Sequence, residues 1–287
     1  MAIEIRTIKT QEEYHEVERL QREIWGAQDI EIVGFEPLMT AHRNGGVMLG
    51  AFDDAKTEER MIGFVFGFVG LTAEGRVKHC SHIAGVMNGY RDRGVGYALK
   101  LKQREQVLAQ GIDLITWTFD PLESRNARFN FRKLGVTCDV YLRNLYGAMR
   151  DALNAGLPSD RFQVDWLIAS PRVEARLARE SEGESDSSAL STLMADGVPL
   201  INPLSHSTER TEIESERLLV EIPSDFQRLK AANKNLALEW RLGARALFEE
   251  AFANGYTATD LLASGERSYY LLSLGQSLCH RATKPQR

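Results

Sequence analysis

Arg91-Asp92-Arg93-Gly94-Val95-Gly96 is the stretch whose residue types and spacing suit a definite chemistry. It follows an apolar strand pattern over residues 83–87 and precedes a helical pattern that opens at Val95. A loop ahead of a helix aims unpaired backbone N–H groups at one point in space. Those donors and the positive end of the helix dipole suit a phosphate or pyrophosphate. Gly94 and Gly96 leave room for a ligand to approach the backbone, and Arg91 and Arg93 add cationic donors. A Gly-x-Gly before a helix is also what an ordinary tight turn contains. The loop alone leaves both readings standing.

The same residues fit Arg/Gln-x-x-Gly-x-Gly/Ala, and so resemble the pyrophosphate-binding signature of the GNAT N-acyltransferases. The setting is similar to that family too, with a strand ending at Val86, a turn and then a helix. Asn88 stands where that turn often has proline. A second element, residues 124–135, resembles the family's Asn-x-x-Ala-x-x-x-Tyr…Gly pattern. Ser124 stands at the Asn position, Ala127 matches, Phe131 stands at the Tyr position, and Gly135 closes it. The resemblance covers residues 2–169 and is sharpest over 83–135.

The resemblance implies acetyl-CoA or another acyl-CoA as co-substrate, with no metal. Arg91, Asp92, Arg93, Gly94, Val95, Gly96 and Tyr97 would hold the pyrophosphate of coenzyme A. The strand carrying Val86 and Met87 would pair with the pantetheine arm, a backbone N–H near Val86 facing the thioester carbonyl. Ser124 and Phe131 would complete the cofactor side.

Acyl transfer to an amine further needs a base for the ammonium, a group to stabilise the oxyanion, and a way to accommodate the thiolate. His82 lies on the strand before the loop, and a neutral imidazole suits the base; a hydrogen-bonded structural histidine is the competing reading. Asp120 ends the following strand, on the side where ligands gather in open α/β sheets, but it could equally cap the next helix. Glu31 is a third choice. Phe131 cannot act as the tyrosine acid of the family. Tyr146 is the residue assigned that part, with Tyr141 the other nearby tyrosine and packing the alternative for each.

These residues need a scaffold, and its pattern is legible. Residues 2–8 read as a strand, and Thr10-x-x-Glu13 as a capping box opening a helix that ends near Trp25-Gly26. Residues 28–43 read as loop with a short helical piece. Residues 47–53 and 60–71 read as strands around the turn 53–58, followed by a strand over 78–87 and a helix over 95–110 stopped by Gly111. A strand over 113–120, a helix over 123–134 and a late strand over 161–169 complete this part. Strand, glycine loop, helix and strand in this order imply parallel strands joined by a right-handed crossover.

The expected class is thus α/β (α+β): a GNAT-like mixed, mostly antiparallel sheet flanked by helices, with a smaller C-terminal α/β extension. Residues 1–170 are the acyl-CoA-binding domain, 171–215 a linker with a short helix, and 216–287 a strand, long helix and hairpin. Ser170-Pro171 suits a helix start. The charged, serine-rich stretch 180–188 has nothing to bury. Arg217 to Ile222 reads as a strand, Ser224-x-x-Gln227 as a capping box for one helix to about Asn254, and 256–263 and 268–274 as strands. That last region is too small for a core of its own, so it is expected to pack on the first domain or on a second subunit as a homodimer.

The whole chain bounds the reading. Its 287 residues, 43% hydrophobic and 26% charged, have an ordinary globular composition. A net charge of −5 argues against a broad nucleic-acid surface. The longest apolar run, residues 62–71, is too short for a bilayer. Three scattered cysteines without metal spacing, and a polar N-terminus, fit a cytoplasmic protein with reduced thiols. The expected activity is acyl transfer, acetyl or succinyl among others, from coenzyme A to the amine of a small molecule or amino acid. The alternative is an inactive coenzyme-A-binding sensor or interaction module.

Overall fold

The computed structural model describes residues 3–26, 32–53, 60–148, 156–178, 185–202, 204 and 215–275. Glu31, the turn residues 54–58 and residues 180–184 of the serine-rich stretch lie outside them. The chain forms two compact units, one running to Trp117 and the other from Thr118.

The first unit holds β1 (Ile3–Thr7), α1 (Gln11–Trp25), α2 (Phe35–Arg43), β2 (Val47–Asp53), β3 (Arg60–Leu71), β4 (Val77–Val86), α3 (Val95–Ala109) and the start of β5 (Leu114–Phe119). Its sheet runs β1-β2-β3-β4-β5, antiparallel except for the β4–β5 pair. Every residue of β2 is buried, as a strand covered on both faces requires. The Thr10–Glu13 capping box opens α1, and Gly26 in the left-handed conformation stops it. Tyr14, Val17, Leu20 and Gln21 form its buried stripe. α1 packs on β3 and β4 so closely that a Cβ at Gly85 would stand 2.6 Å from Trp25. α3 packs on β2, β3 and β4. Its buried stripe is Val95, Leu99, Lys100, Gln103 and Val107, two polar residues among apolar ones.

The second unit continues with α4 (Ser124–Arg128), a π-helical turn (Phe129–Leu134), β6 (Thr137–Leu142), β7 (Arg161–Leu167), α5 (Pro171–Ala178), α6 (Asp186–Ala195), β8 (Leu200–Ile201), β9 (Arg217–Pro223), α7 (Phe226–Ala232), α8 (Lys234–Ala253), β10 (Tyr256–Ser264) and β11 (Arg267–Leu274). Its strands lie in the order β7-β6-β10-β11-β9-β8, with only β8–β9 parallel. The core is aromatic. Phe162 lies 4.8 Å from Phe248 and 5.4 Å from Tyr270, and Trp166 donates from Nε1 to the Leu134 carbonyl at 2.8 Å.

Three local expectations change. The serine-rich stretch ends in a helix: Ser185 caps α6 by accepting from the Ser188 N–H, and Leu190 and Leu193 bury against Val198, Leu219 and Leu262. The long C-terminal helix is two helices. Asp225 rather than Ser224 caps α7, and Asn233 breaks the run by capping α8. β6 is a strand that the sequence pattern did not announce.

Candidate active site

In the first unit, β4 and β5 pair at His79–Ile115 and Cys80–Thr116 and then part. β3 meanwhile stays paired with β4 as far as Val86. The β5-facing edge of β4 beyond Cys80 is thus left without a strand partner in this unit. Met87 donates its N–H to the Ile62 carbonyl at 2.9 Å. That bond makes Val86–Gly63 a non-hydrogen-bonded antiparallel pair, so the N–H and C=O of Val86 point away from β3, into the fork. Ala84, opposite Val65, has the same parity. The Val86 carbonyl takes Arg91 Nε at 3.4 Å. The Val86 amide faces the fork, whereas the Met87 amide is committed to β3. An open strand edge of this kind is a template for an extended, amide-bearing chain.

The loop after β4 is fixed at its start and bare at its end. Residues Asn88–Tyr90 form a 3₁₀ turn, and the Tyr90 hydroxyl donates to Asp53 at 2.6 Å, tying the loop to the end of β2. Asp92 (φ 64°) and Gly94 (φ 79°) both adopt the left-handed conformation, which carries the chain into α3. Gly94 caps α3 without a side chain, and the first turn holds no acidic residue. The N–H groups of Val95, Gly96 and Tyr97 therefore have no acceptor within the helix, and the positive end of its dipole points toward the loop. A Cβ at Gly94 would meet nothing within 4 Å. Arg91 and Arg93 are exposed, Arg93 lying 5.3 Å from the Tyr90 ring centroid. These features fit a pyrophosphate, as the unpaired β4 edge fits an extended pantetheine arm.

His82 is the extra residue of a bulge in β4, where the register with β3 shifts between Phe66 and Gly67. Its ring lies 6.1 Å from Phe66 and 6.0 Å from Phe68, and partial burial lowers its pKa below the ordinary histidine value. It is the base candidate that sits beside the fork on β4 itself.

Behind the fork runs a buried polar chain. Lys100 donates to Ser81 Oγ at 2.8 Å and to Gln103 Oε1 at 3.0 Å, and its Nζ lies 3.8 Å from the Trp117 ring centroid. Ser81 also donates to Gln103 Oε1. With that oxygen accepting, Gln103 Nε2 donates to His79 Nε2 at 3.2 Å, so the neutral His79 carries its proton on Nδ1. Nδ1 is buried and has no partner. Burial, reinforced by the Lys100 charge, lowers the His79 pKa to about 4; burial lowers that of Lys100 to about 7. Sequence reasoning missed Lys100. The available signal was its place beside Leu99 and one turn from Gln103, on the stripe set by Val95 and Val107.

The remaining sequence-derived residues lie in the second unit. Both oxygens of Asp120 are engaged: Arg241 donates to Oδ1 at 2.8 Å and to Oδ2 at 2.5 Å, and the Leu122 N–H donates to Oδ1 at 2.9 Å. Arg161 adds a further ion pair at 3.8 Å. This is the capping and anchoring arrangement, in place of a base open to substrate. Ser124 shares a 2.6 Å hydrogen bond with Ser268 and is buried. Phe131 is fully buried, edge-on to Tyr270 and Phe119, so it belongs to the core. Tyr141 is committed to Asp160, and burial followed by that carboxylate raises its pKa strongly. Tyr146 is the exposed one, its hydroxyl 2.9 Å from Thr118 Oγ1 and its ring beneath Arg161.

Among the described residues, no group of three or more His, Cys, Asp or Glu side chains is placed to hold a metal, and no helix is long and apolar enough to cross a membrane. No model of a protein family matches this sequence. No curated protein sequence matches it either. Among solved structures, the chain is similar to the ribosomal-protein-S18-alanine N-acetyltransferase of Escherichia coli, at 11% identity over 64% of this chain and 99% of that one, with a TM-score of 0.45. It is similar to NAA60 of Arabidopsis thaliana in complex with acetyl-CoA (17% identity, 58% and 99% covered, TM-score 0.46). A GNAT-family acetyltransferase of Streptococcus pneumoniae is a third such likeness (15% identity, 57% and 98% covered, TM-score 0.45). In its own first unit the chain has parallel strands that part, a glycine loop and a helix that starts at Val95, in the order the sequence resemblance implies.

Proposed function

We propose that this protein is an acyl-CoA-dependent N-acyltransferase that moves an acetyl or longer acyl group, succinyl included, to the amine of a small molecule or amino acid. The observation that carries the proposal is the Val86 amide, turned into the fork immediately ahead of the uncapped N-terminus of α3. Bound acyl-CoA would supply the activated thioester. The loop N–H groups with Arg91 and Arg93 bind the pyrophosphate, and the β4 edge binds the pantetheine amides. The Val86 N–H donates to the oxygen on which charge develops. His82, neutral at pH 7, takes the proton from the acceptor ammonium. In the second unit, Tyr146 is a tyrosine whose side chain stays exposed.

A second reading, a coenzyme-A-binding sensor without catalysis, is favoured by Phe131 and Asp120 being consumed by the core and by Arg241. One experiment separates the two: thiol release from acetyl-CoA and succinyl-CoA against a panel of amino acids, small amines and a short peptide. Release with an amino acid or small amine supports the transferase. Release with the peptide alone moves the acceptor to proteins. Coenzyme A binding without release on any acceptor turns the reading to the sensor, and absence of binding removes both.

A further inference from the structure

Ser81 and Trp117 are the residues that directly follow the last paired positions of β4 and β5, Cys80 and Thr116. A parallel register continued by one step would set them opposite each other. It does not continue, and at that point the side chain of Lys100 enters from α3. Its Nζ bonds the Ser81 hydroxyl and lies against the Trp117 ring, while Gln103 takes a further N–H. An ammonium has three donors, and here two oxygens and a π face receive them.

Burying an ammonium is costly even when it is well bonded. Lys100 is 5% exposed on a stripe otherwise made by Val95, Leu99, Gln103 and Val107, where a methionine would fill similar volume without a charge. Removing the lysine would not orphan its neighbours, because Ser81 and Gln103 bond each other at 3.1 Å. Stability is thus a poor reason for a lysine at this place. Its location at the apex of the fork offers a better one.

We propose that Lys100 is a positioning residue that braces the fork open at its apex, standing between the first two side chains that would otherwise close over the β4 edge. The inference rests on the reading of that edge as the acyl-CoA site. The brace engages Ser81 from β4 and Trp117 from β5 together, so extending the pairing by another step means giving up both contacts. It thereby fixes how much of the β4 edge, and with it the Val86 amide, stays available to an extended ligand.

The test uses Lys100→Met in the full chain, with coenzyme A as the probe. The melting temperature is expected to hold or rise, since a buried charge is removed. Hydrogen exchange of peptides covering residues 81–86 without ligand should slow as the strands close. The Kd for coenzyme A by calorimetry should rise about tenfold, and KM for acyl-CoA should follow with kcat little changed. Should Lys100→Met fail to fold, Ser81→Ala is measured in the same way, with the same direction expected and a smaller size. Unchanged exchange and unchanged Kd overturn the brace. So does weaker binding that merely accompanies a lower melting temperature with no gain in protection. If the exchange slows but the wild-type protein binds no coenzyme A, the brace stands as a structural device and the acyl-CoA reading of the fork falls.

Discussion

Each unit of this protein buries cations, and they do so differently. In the second unit, arginines are met by carboxylates in bidentate geometry: Arg241 by Asp120, and Arg245 by Asp160, which is itself fully buried. In the first unit, Lys100 is received by a hydroxyl, an amide and an indole face. The carboxylate pairs lock a core. The lysine arrangement keeps a charge close to titration beside an open strand edge. A buried ion answered by its opposite is architecture, and one answered by dipoles is adjustable. The contrast separates a unit whose buried arginines lock a core from one whose buried lysine stands beside an open strand edge.

The largest effect should come from breaking the architecture. Burial alone would raise the pKa of Asp160, but hydrogen bonds from Arg245, the Asn144 N–H and Tyr141 outweigh it and lower the value. Asp160→Ala removes those acceptors and strands Arg245. It should cost about 3–5 kcal/mol in urea-induced unfolding, because the Tyr141 hydroxyl, the Asn144 N–H and the partly exposed Arg245 all lose their acceptor, at about 1–3 kcal/mol for each donor left buried. Asp120→Asn should behave alike, losing activity only in step with the folded fraction. A fall in kcat at unchanged stability would instead make Asp120 the base.

Comparable in size is the adjustable cation. Folded Lys100 loses its proton near pH 7, whereas an unfolded lysine keeps it to about pH 10.5. Between these values the unfolded chain binds more protons, so stability rises with pH across that window. His79, which faces it from β4, has already lost its charge well below the window, and Ser81, Gln103 and Trp117 do not titrate there. The rise should amount to about 5 kcal/mol across the whole window, each pKa unit being worth about 1.4 kcal/mol, and Lys100→Met should abolish it. Parallel pH–stability curves for the two proteins would put Lys100 in the same class as the paired arginines.

His82 stands on the strand that carries that open edge, and as the proposed base its effect should be on rate. His82→Gln should lower kcat about a hundredfold, the lower end of what a general base contributes. Its pKa is lowered by burial, so the acid limb of kcat/KM should lie below the ordinary 6.5 and disappear in the variant. A limb that persists assigns the proton elsewhere.

How much of this was legible in the sequence follows from how local each device is. The Thr10–Glu13 box, the Gly26 and Gly135 stops, and the loop from Arg91 to Gly96 depend on a few neighbouring residues, and all can be read from their order. The direction of the Val86 amide cannot, because it depends on the pairing register with β3 and the bulge at His82. Lys100 was hidden because lysine reads as surface, and only the fork explains what its charge does inside. Asp120 and Phe131 could be located but not interpreted. Their partners Arg241 and Tyr270 lie more than a hundred residues further along the chain.

The smallest effect isolates the loop from the fold. Gly94 has φ 79°, so any L-residue there carries strain of about 1 kcal/mol. Gly96 has no such constraint, and a Cβ there would make an ordinary 3.8 Å contact with Val86. Gly96→Ala should therefore hold or gain about 0.5–1 kcal/mol through helix propensity. Gly94→Ala and Gly94→Glu pay the same backbone cost, because space around the position is open. They differ in the length and charge of the side chain. If the uncapped turn of α3 receives a pyrophosphate, calorimetry should find coenzyme A binding weakened slightly in the alanine variant and lost in the glutamate one. Equal binding by the two would show that the anion does not sit at this helix end, and the first unit's claim to be the binding unit would then rest on the β4 edge alone.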